Sequence, residues 1–256
     1  MTIETLFRER RAAGRKLLVP YITGGYGPDW LNAVRAVADA GADAIEIGIP
    51  FSDPVMDGVT IQAASQIALE RGVTPTSVLH DLRDIDAGAP LIVMTYYNIA
   101  HHAGHERFAA SLHDAGVQGA ILADLPLEEA GPWCEAADAA HIETILLAAP
   151  TGSDERLARV CARARGFVYA VGLLGVTGER SQLAASSLVI AKRLKSVTDK
   201  PVLVGVGVSN AEQAAEVCAV ADGVVVGSAL MRKLLDGGGP EAAGAFVAEL
   251  RTGIDG

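Results

Sequence analysis

Short runs rich in β-branched and aliphatic residues alternate along this chain with longer stretches of helical period, and the alternation repeats eight times. The strand candidates are LLVPYI, DAIEIGIP, LIVMTYY, GAILADLP, ETILLAAP, FVYAVGLL, PVLVGVGV and DGVVVGS. Between them lie amphipathic stretches such as PDWLNAVRAVADAG, HERFAASLHDAG, SDERLARVCARAR and NAEQAAEVCAV, several opening on Pro, Ser, Asp or Asn and ending near Gly. A helical segment, IETLFRERRAAG, precedes the first strand. Eight strands, each followed by a helix, in 256 residues is the count of a (β/α)8 TIM barrel. A doubly wound open sheet usually has fewer strands, and the G-x-G-x-x-G that would follow its first strand is missing here. The expectation is an α/β fold: one (β/α)8 barrel domain over residues 1–256, with an N-terminal extra helix and a short phosphate-binding helix after strand 8.

A net charge of −10 argues against nucleic acid or an anionic membrane surface as a partner, because both need a basic face. No basic segment followed by an apolar run opens the chain, and no apolar run approaches the roughly 18 residues that span a bilayer. A cytoplasmic protein is expected. Cys134, Cys161 and Cys218 are scattered on apolar helical faces without C-x-x-C spacing, which reads as core packing.

Catalytic groups of a barrel sit at the carboxyl ends of its strands and in the loops that follow. Within IEIGIPFSDPVMDG a glutamate stands inside an apolar strand. Side chains alternate with period two, so Ile45, Ile47 and Ile49 share the face toward the helices, and Glu46 points into the barrel between small residues. Burying an unpaired carboxylate costs several kcal/mol or forces it to take up a proton. A general acid or base is therefore favoured over a structural glutamate. Asp57, in the loop after strand two, can reach over the barrel mouth toward Glu46. Asp53 is either a turn cap or a functional carboxylate, and Asp124, closing strand four before Leu-Pro, reads as a loop anchor.

No lysine falls within the eight strands, and Lys16 lies at the wrong end of the barrel for Schiff-base chemistry. His101, His102 and His105 have no carboxylate arranged beside them and read as a polar loop rather than a metal site. Two or three carboxylates without metal or lysine point to proton transfer on an organic substrate. Glycines cluster after strands six, seven and eight, in GVTG, GVGVS and VGSALMRKLL. Backbone N–H groups of Gly207, Gly227 and Ser228 at a helix N-terminus suit a phosphate. Tyr21, Tyr96, Tyr97 and Tyr169 fall near strand ends, four of only five tyrosines, and can line a flat apolar substrate.

IEIGIPFSDPVMDGVTIQ, YAVGLLGVTGER, PVLVGVGVSNAEQA and ADGVVVGSAL together resemble the tryptophan synthase alpha chain family, in order and over nearly the whole chain. The resemblance implies a lyase that splits indole-3-glycerol phosphate into indole and glyceraldehyde 3-phosphate. It implies no cofactor in this chain, with pyridoxal phosphate only in a partner beta chain, and an αββα heterotetramer that passes indole to the beta site. It further implies Glu46 as the general acid–base and Asp57 as acceptor from the indole N–H. Gly178, Gly207, Gly227 and Ser228 would bind phosphate, Tyr21, Tyr96 and Tyr169 would line the indole pocket, Thr177 would belong to a closing loop that touches Asp57, and Asp53 would face the beta chain. The chain departs from the commoner family pattern at Met56, Val59, Leu173 and Leu174. Rival readings are a free-standing lyase, a weakly active allosteric binding subunit, and another sugar-phosphate isomerase or lyase on a barrel.

Overall fold

The computed structural model describes residues 1–172, 185–205 and 207–256. Thr177, Gly178, Leu173 and Leu174 lie outside the described residues. The strands are β1 (Leu17–Thr23), β2 (Ile45–Gly48), β3 (Leu91–Thr95), β4 (Val117–Leu122), β5 (Glu143–Thr144), β6 (Leu146–Ala148), β7 (Val168–Val171), β8 (Val202–Gly205) and β9 (Gly223–Val226). They form one parallel sheet in the order β5-β4-β3-β2-β1-β9-β8-β7-β6. The expected fifth strand is divided into β5 and β6 at Ile145. β5 pairs with β4 and β6 with β7, so the barrel closes through the chain itself. At the break the Ile145 amide still donates to the Ala120 carbonyl at 3.0 Å, while the side chain fills the interior beside Gly119.

Strand pleating sorts the core into two layers. Leu17, Val19, Ala44, Ile92, Ile121, Ile145, Phe167, Leu203 and Val225 meet inside the barrel. Ile45, Ile47 and Ile49 join the outer layer against the helices, as the alternation predicts. The leading helix, Ile3–Ala12, plugs the amino end: Ile3 and Phe7 are fully buried, and Phe7 stacks on Phe167 at 5.8 Å. Side-chain caps follow the sequence, with Ser153 accepting from the Arg156 amide and Asn210 from the Gln213 amide. The three cysteines are buried and free. The histidine cluster differs from expectation. Gly104, at φ +86°, separates two helices, Tyr97–Ala103 and His105–Asp114, so His101, His102 and His105 are helical rather than in a loop. Among the described residues no helix is long and apolar enough to cross a membrane.

The amino end is also held by charge. Asp43, two residues before β2 and fully buried, binds Arg10, Arg15 (3.0 Å) and Arg251 (3.0 Å) and accepts from the Leu18 amide at 2.7 Å. Asp222, just before β9, pairs with Lys195 at 2.8 Å and accepts from the Val202 amide at 2.9 Å. Glu143 accepts from the Ile3 and Glu4 amides and so caps the leading helix. Removing one member of a buried charge cluster leaves the others desolvated without compensation. Asp43→Ala should therefore cost about 3–5 kcal/mol, read as a lower urea midpoint; an unchanged midpoint would contradict this account of the amino end.

Candidate active site

Glu46 sits near the carboxyl end of β2, level with Tyr21 of β1 and Ile92 of β3. It is 1% exposed, and its Oε2 has no hydrogen-bond partner among the described residues. Burial, followed by the nearby charge of Asp57, pushes its carboxyl up to about 8. The group is a protonated acid at neutral pH, with one oxygen free to face a substrate.

Asp57 belongs to the segment between β2 and the helix Val59–Glu70. Burial pushes its carboxyl up to about 6, and a hydrogen bond from the Tyr96 hydroxyl opposes the rise. That hydroxyl also accepts from the Met56 amide at 2.9 Å, and the Tyr96 ring stacks on Phe51 at 5.0 Å. One tyrosine thus pins the loop at three places. The backbone of the next residue is fixed by Asp124, whose Oδ1 accepts from the Tyr97 amide at 2.7 Å, so Asp124 is the anchor that its position suggested. Tyr97 turns instead to His105, 3.0 Å from hydroxyl to Nε2.

Tyr21 and Tyr169 enter the barrel mouth in matching ways. A Cβ on Gly48 would lie 1.9 Å from the Tyr21 hydroxyl, and one on Gly205 would lie 2.3 Å from that of Tyr169. Each ring therefore occupies space that only a glycine on the neighbouring strand leaves open. The room beside Glu46 that small residues promised is in part filled by Tyr21. Both phenols are raised above their ordinary pKa, chiefly by burial and further by the charges of Glu46 and Asp57. The sequence reading missed Thr23, whose buried hydroxyl donates to that of Tyr21 at 3.3 Å. Its signal was the period-two spacing from Tyr21 on the interior face.

β8 and β9 are neighbours, so the segments that follow them lie side by side at the carboxyl end. Gly207 has φ +61°, which favours glycine. Gly227 precedes the helix Ser228–Leu235, whose first residue is buried. This is the short helix expected after the last strand, and its first-turn N–H groups face the mouth end of the barrel. Asp53, unlike the carboxylate pair, is exposed, with its Oδ2 accepting from the Ser52 hydroxyl at 2.6 Å. Val55 in the same segment and Val59 at the start of the helix that follows are 71% and 75% exposed. Lys16 is at the amino end, its Nζ donating to the Ala221 carbonyl. Among the described residues no group of three or more His, Cys, Asp or Glu is placed to hold a metal.

Residues 7–249 match the family model of the tryptophan synthase alpha chain. Curated relatives include the tryptophan synthase alpha chain of Streptomyces coelicolor, 44% identical over 254 residues, covering 96% of this chain and 94% of that one. That of Thermobifida fusca is 46% identical over 257 residues, covering 96% and 95%. Among solved structures, tryptophan synthase from Mycobacterium tuberculosis superposes with a TM-score of 0.91 at 40% identity, covering 98% of this chain and 97% of that one. The alpha chain from Legionella pneumophila gives 0.90 at 33%, covering 100% and 98%. With the barrel, the ordered motifs and these likenesses in agreement, the chain belongs to the tryptophan synthase alpha chain family.

Proposed function

We propose that this chain cleaves indole-3-glycerol phosphate to indole and glyceraldehyde 3-phosphate, with Glu46 moving protons and Asp57 holding charge. The observation that carries the assignment is the pair itself. A buried carboxyl with an oxygen unpartnered among the described residues stands near a second carboxyl that Tyr96 holds in place.

Their unequal environments set the roles. At neutral pH Glu46 carries its proton and Asp57 does not, given values of about 8 and about 6. Glu46 gives its proton to the ring carbon that bears the glycerol chain, leaving a cationic indolenine. The Asp57 carboxylate accepts a hydrogen bond from the ring N–H and stabilises that cation. Glu46, now a carboxylate, takes the proton of the hydroxyl on the adjacent carbon. The O–H electrons form the aldehyde, the carbon–carbon bond breaks, and its electrons return to the ring. Indole and glyceraldehyde 3-phosphate leave, and Glu46 is again protonated. No cofactor enters these steps. Tyr21, Tyr96 and Tyr169 line the ring pocket, and Gly207, Gly227 and Ser228, joined by Gly178, hold the phosphate. Thr177 is assigned to this site by the family resemblance alone. The partner is a beta chain carrying pyridoxal phosphate in an αββα heterotetramer that receives the indole; Asp53, exposed like Val55 and Val59, faces that partner. Val59 takes the first helical position after Gly58, where a proline would pre-set the backbone, so this loop is freer to move than one with proline there.

Glu46→Gln should lower the rate of indole release about 10²–10⁴-fold, with or without beta chain, because a positioned acid–base group contributes that much. Wild-type release that rises sharply on adding beta chain supports the paired assembly, and release indifferent to it supports a free-standing lyase.

The rate profile should be bell-shaped, with apparent limbs near 6 and 8 that belong to the coupled carboxyl pair. The substrate phosphate titrates near the acid limb, so the diagnostic is a difference between proteins. The Tyr96 hydrogen bond favours ionised Asp57, so Tyr96→Phe should move the acid limb to higher pH. An acid limb that stays or falls would remove Tyr96 from this role.

Glu46 also ties stability to pH. Folded, it keeps its proton to about pH 8; unfolded, it releases it near its ordinary value of 4.5. Between these values the unfolded chain binds fewer protons, so wild-type stability falls as pH rises. Glu46→Gln lacks this loss, and its advantage in urea unfolding should widen from pH 5 to pH 8. A constant difference would show that Glu46 is not held protonated.

A further inference from the structure

Tyr21 is placed between the two ends of the proposed substrate. At the base of the side chain, a Cβ on Gly227 would lie 3.4 Å from the Tyr21 Cβ. At its tip, the hydroxyl lies over Gly48, two residues beyond Glu46 on the same interior face of β2. One side chain therefore runs from the helix start after β9 to the top of β2. In the reading above, the phosphate sits at the first of these places and the ring lies against Asp57 and Tyr96. The glycerol carbons must cross the interval that Tyr21 spans.

The hydroxyl is also oriented. The Thr23 hydroxyl, fully buried, donates to the Tyr21 oxygen at 3.3 Å, which directs the phenol's own proton elsewhere. Among the described residues Tyr21 donates no hydrogen bond in return, although its burial makes an unused donor unfavourable. Burial, followed by the charge of Asp57, raises its pKa and keeps it protonated. The result is an oriented O–H donor without an acceptor among the described residues, placed where a bound molecule can supply one.

We infer that the Tyr21 hydroxyl is a substrate-orienting donor that binds a hydroxyl oxygen of the glycerol chain and so sets the reacting hydroxyl toward Glu46. The inference rests on the proposed lyase reading and adds to it a residue that recognises the polyol between ring and phosphate. A phenylalanine would fill the same space over Gly48 and would lack this recognition.

The test compares wild type with Tyr21→Phe, which removes one oxygen and keeps the ring. Two ligands are used on the full chain with its beta chain: indole-3-glycerol phosphate, and an indol-3-yl propyl phosphate with the same ring and phosphate but no hydroxyls. For the substrate, kcat/KM should fall about tenfold or more, the scale of one lost hydrogen bond. The Kd of the hydroxyl-free analogue should stay within about twofold, since the site keeps its shape. An unchanged kcat/KM overturns the inference. Equal losses for both ligands also overturn it, by showing that Tyr21 only supports the pocket. If wild type neither cleaves the substrate nor binds the analogue, the lyase reading itself fails, an outcome distinct from the other two.

Discussion

A carboxyl group kept out of water without a partner is costly, and most of what surrounds Glu46 follows from that constraint. The pleat of β2 turns it inward, because the isoleucines on either side must face the helices. Burial makes it a weak acid that still holds its proton at neutral pH. A weak acid of that strength can give a proton to a carbon and recover one from a hydroxyl in the same turnover. Asp57, more open and hydrogen-bonded to Tyr96, stays the stronger acid of the two. The difference between the carboxyls arises from their surroundings, not from their chemistry.

The two ends of the barrel treat charge in opposite ways. At the amino end, Asp43 and Asp222 are buried too, but each meets cationic side chains and a backbone N–H. There the leading helix is tied down through Arg10, Arg11 and the Glu143 cap. At the carboxyl end, among the described residues, Glu46 keeps an oxygen without a partner and Tyr21 donates no hydrogen bond. A closed parallel barrel makes the division possible, since all strands run the same way and one rim can be rigid while the other stays open to chemistry.

Several particulars were legible before the fold was known, and others were not. The direction of Glu46 followed from alternation within eight residues, and Asp124 showed itself as an anchor by its place before Leu-Pro. The histidines misled, because a glycine with positive φ can break one helice run into two as readily as it can mark a loop. The division of the fifth strand at Ile145 depends on which neighbours its two halves meet, β4 on one side and β7 on the other. The glycines over which Tyr21 and Tyr169 lie belong to adjacent strands, far away in sequence.

By itself the sequence determined what depends on near neighbours along the chain. These are the strand and helix alternation, the inward face of β2, several caps, and the order of motifs that marks the family. Only the tertiary structure decided what depends on contact across the barrel. Strand pairing sets Tyr21 level with Glu46, lays its ring over Gly48, and brings the segments after β8 and β9 side by side. Tyr96 reaches the Asp57 loop in the same way, from a different strand. Burial and charge–charge distance, which give the two carboxyls their different strengths, exist only once these distant segments are packed together.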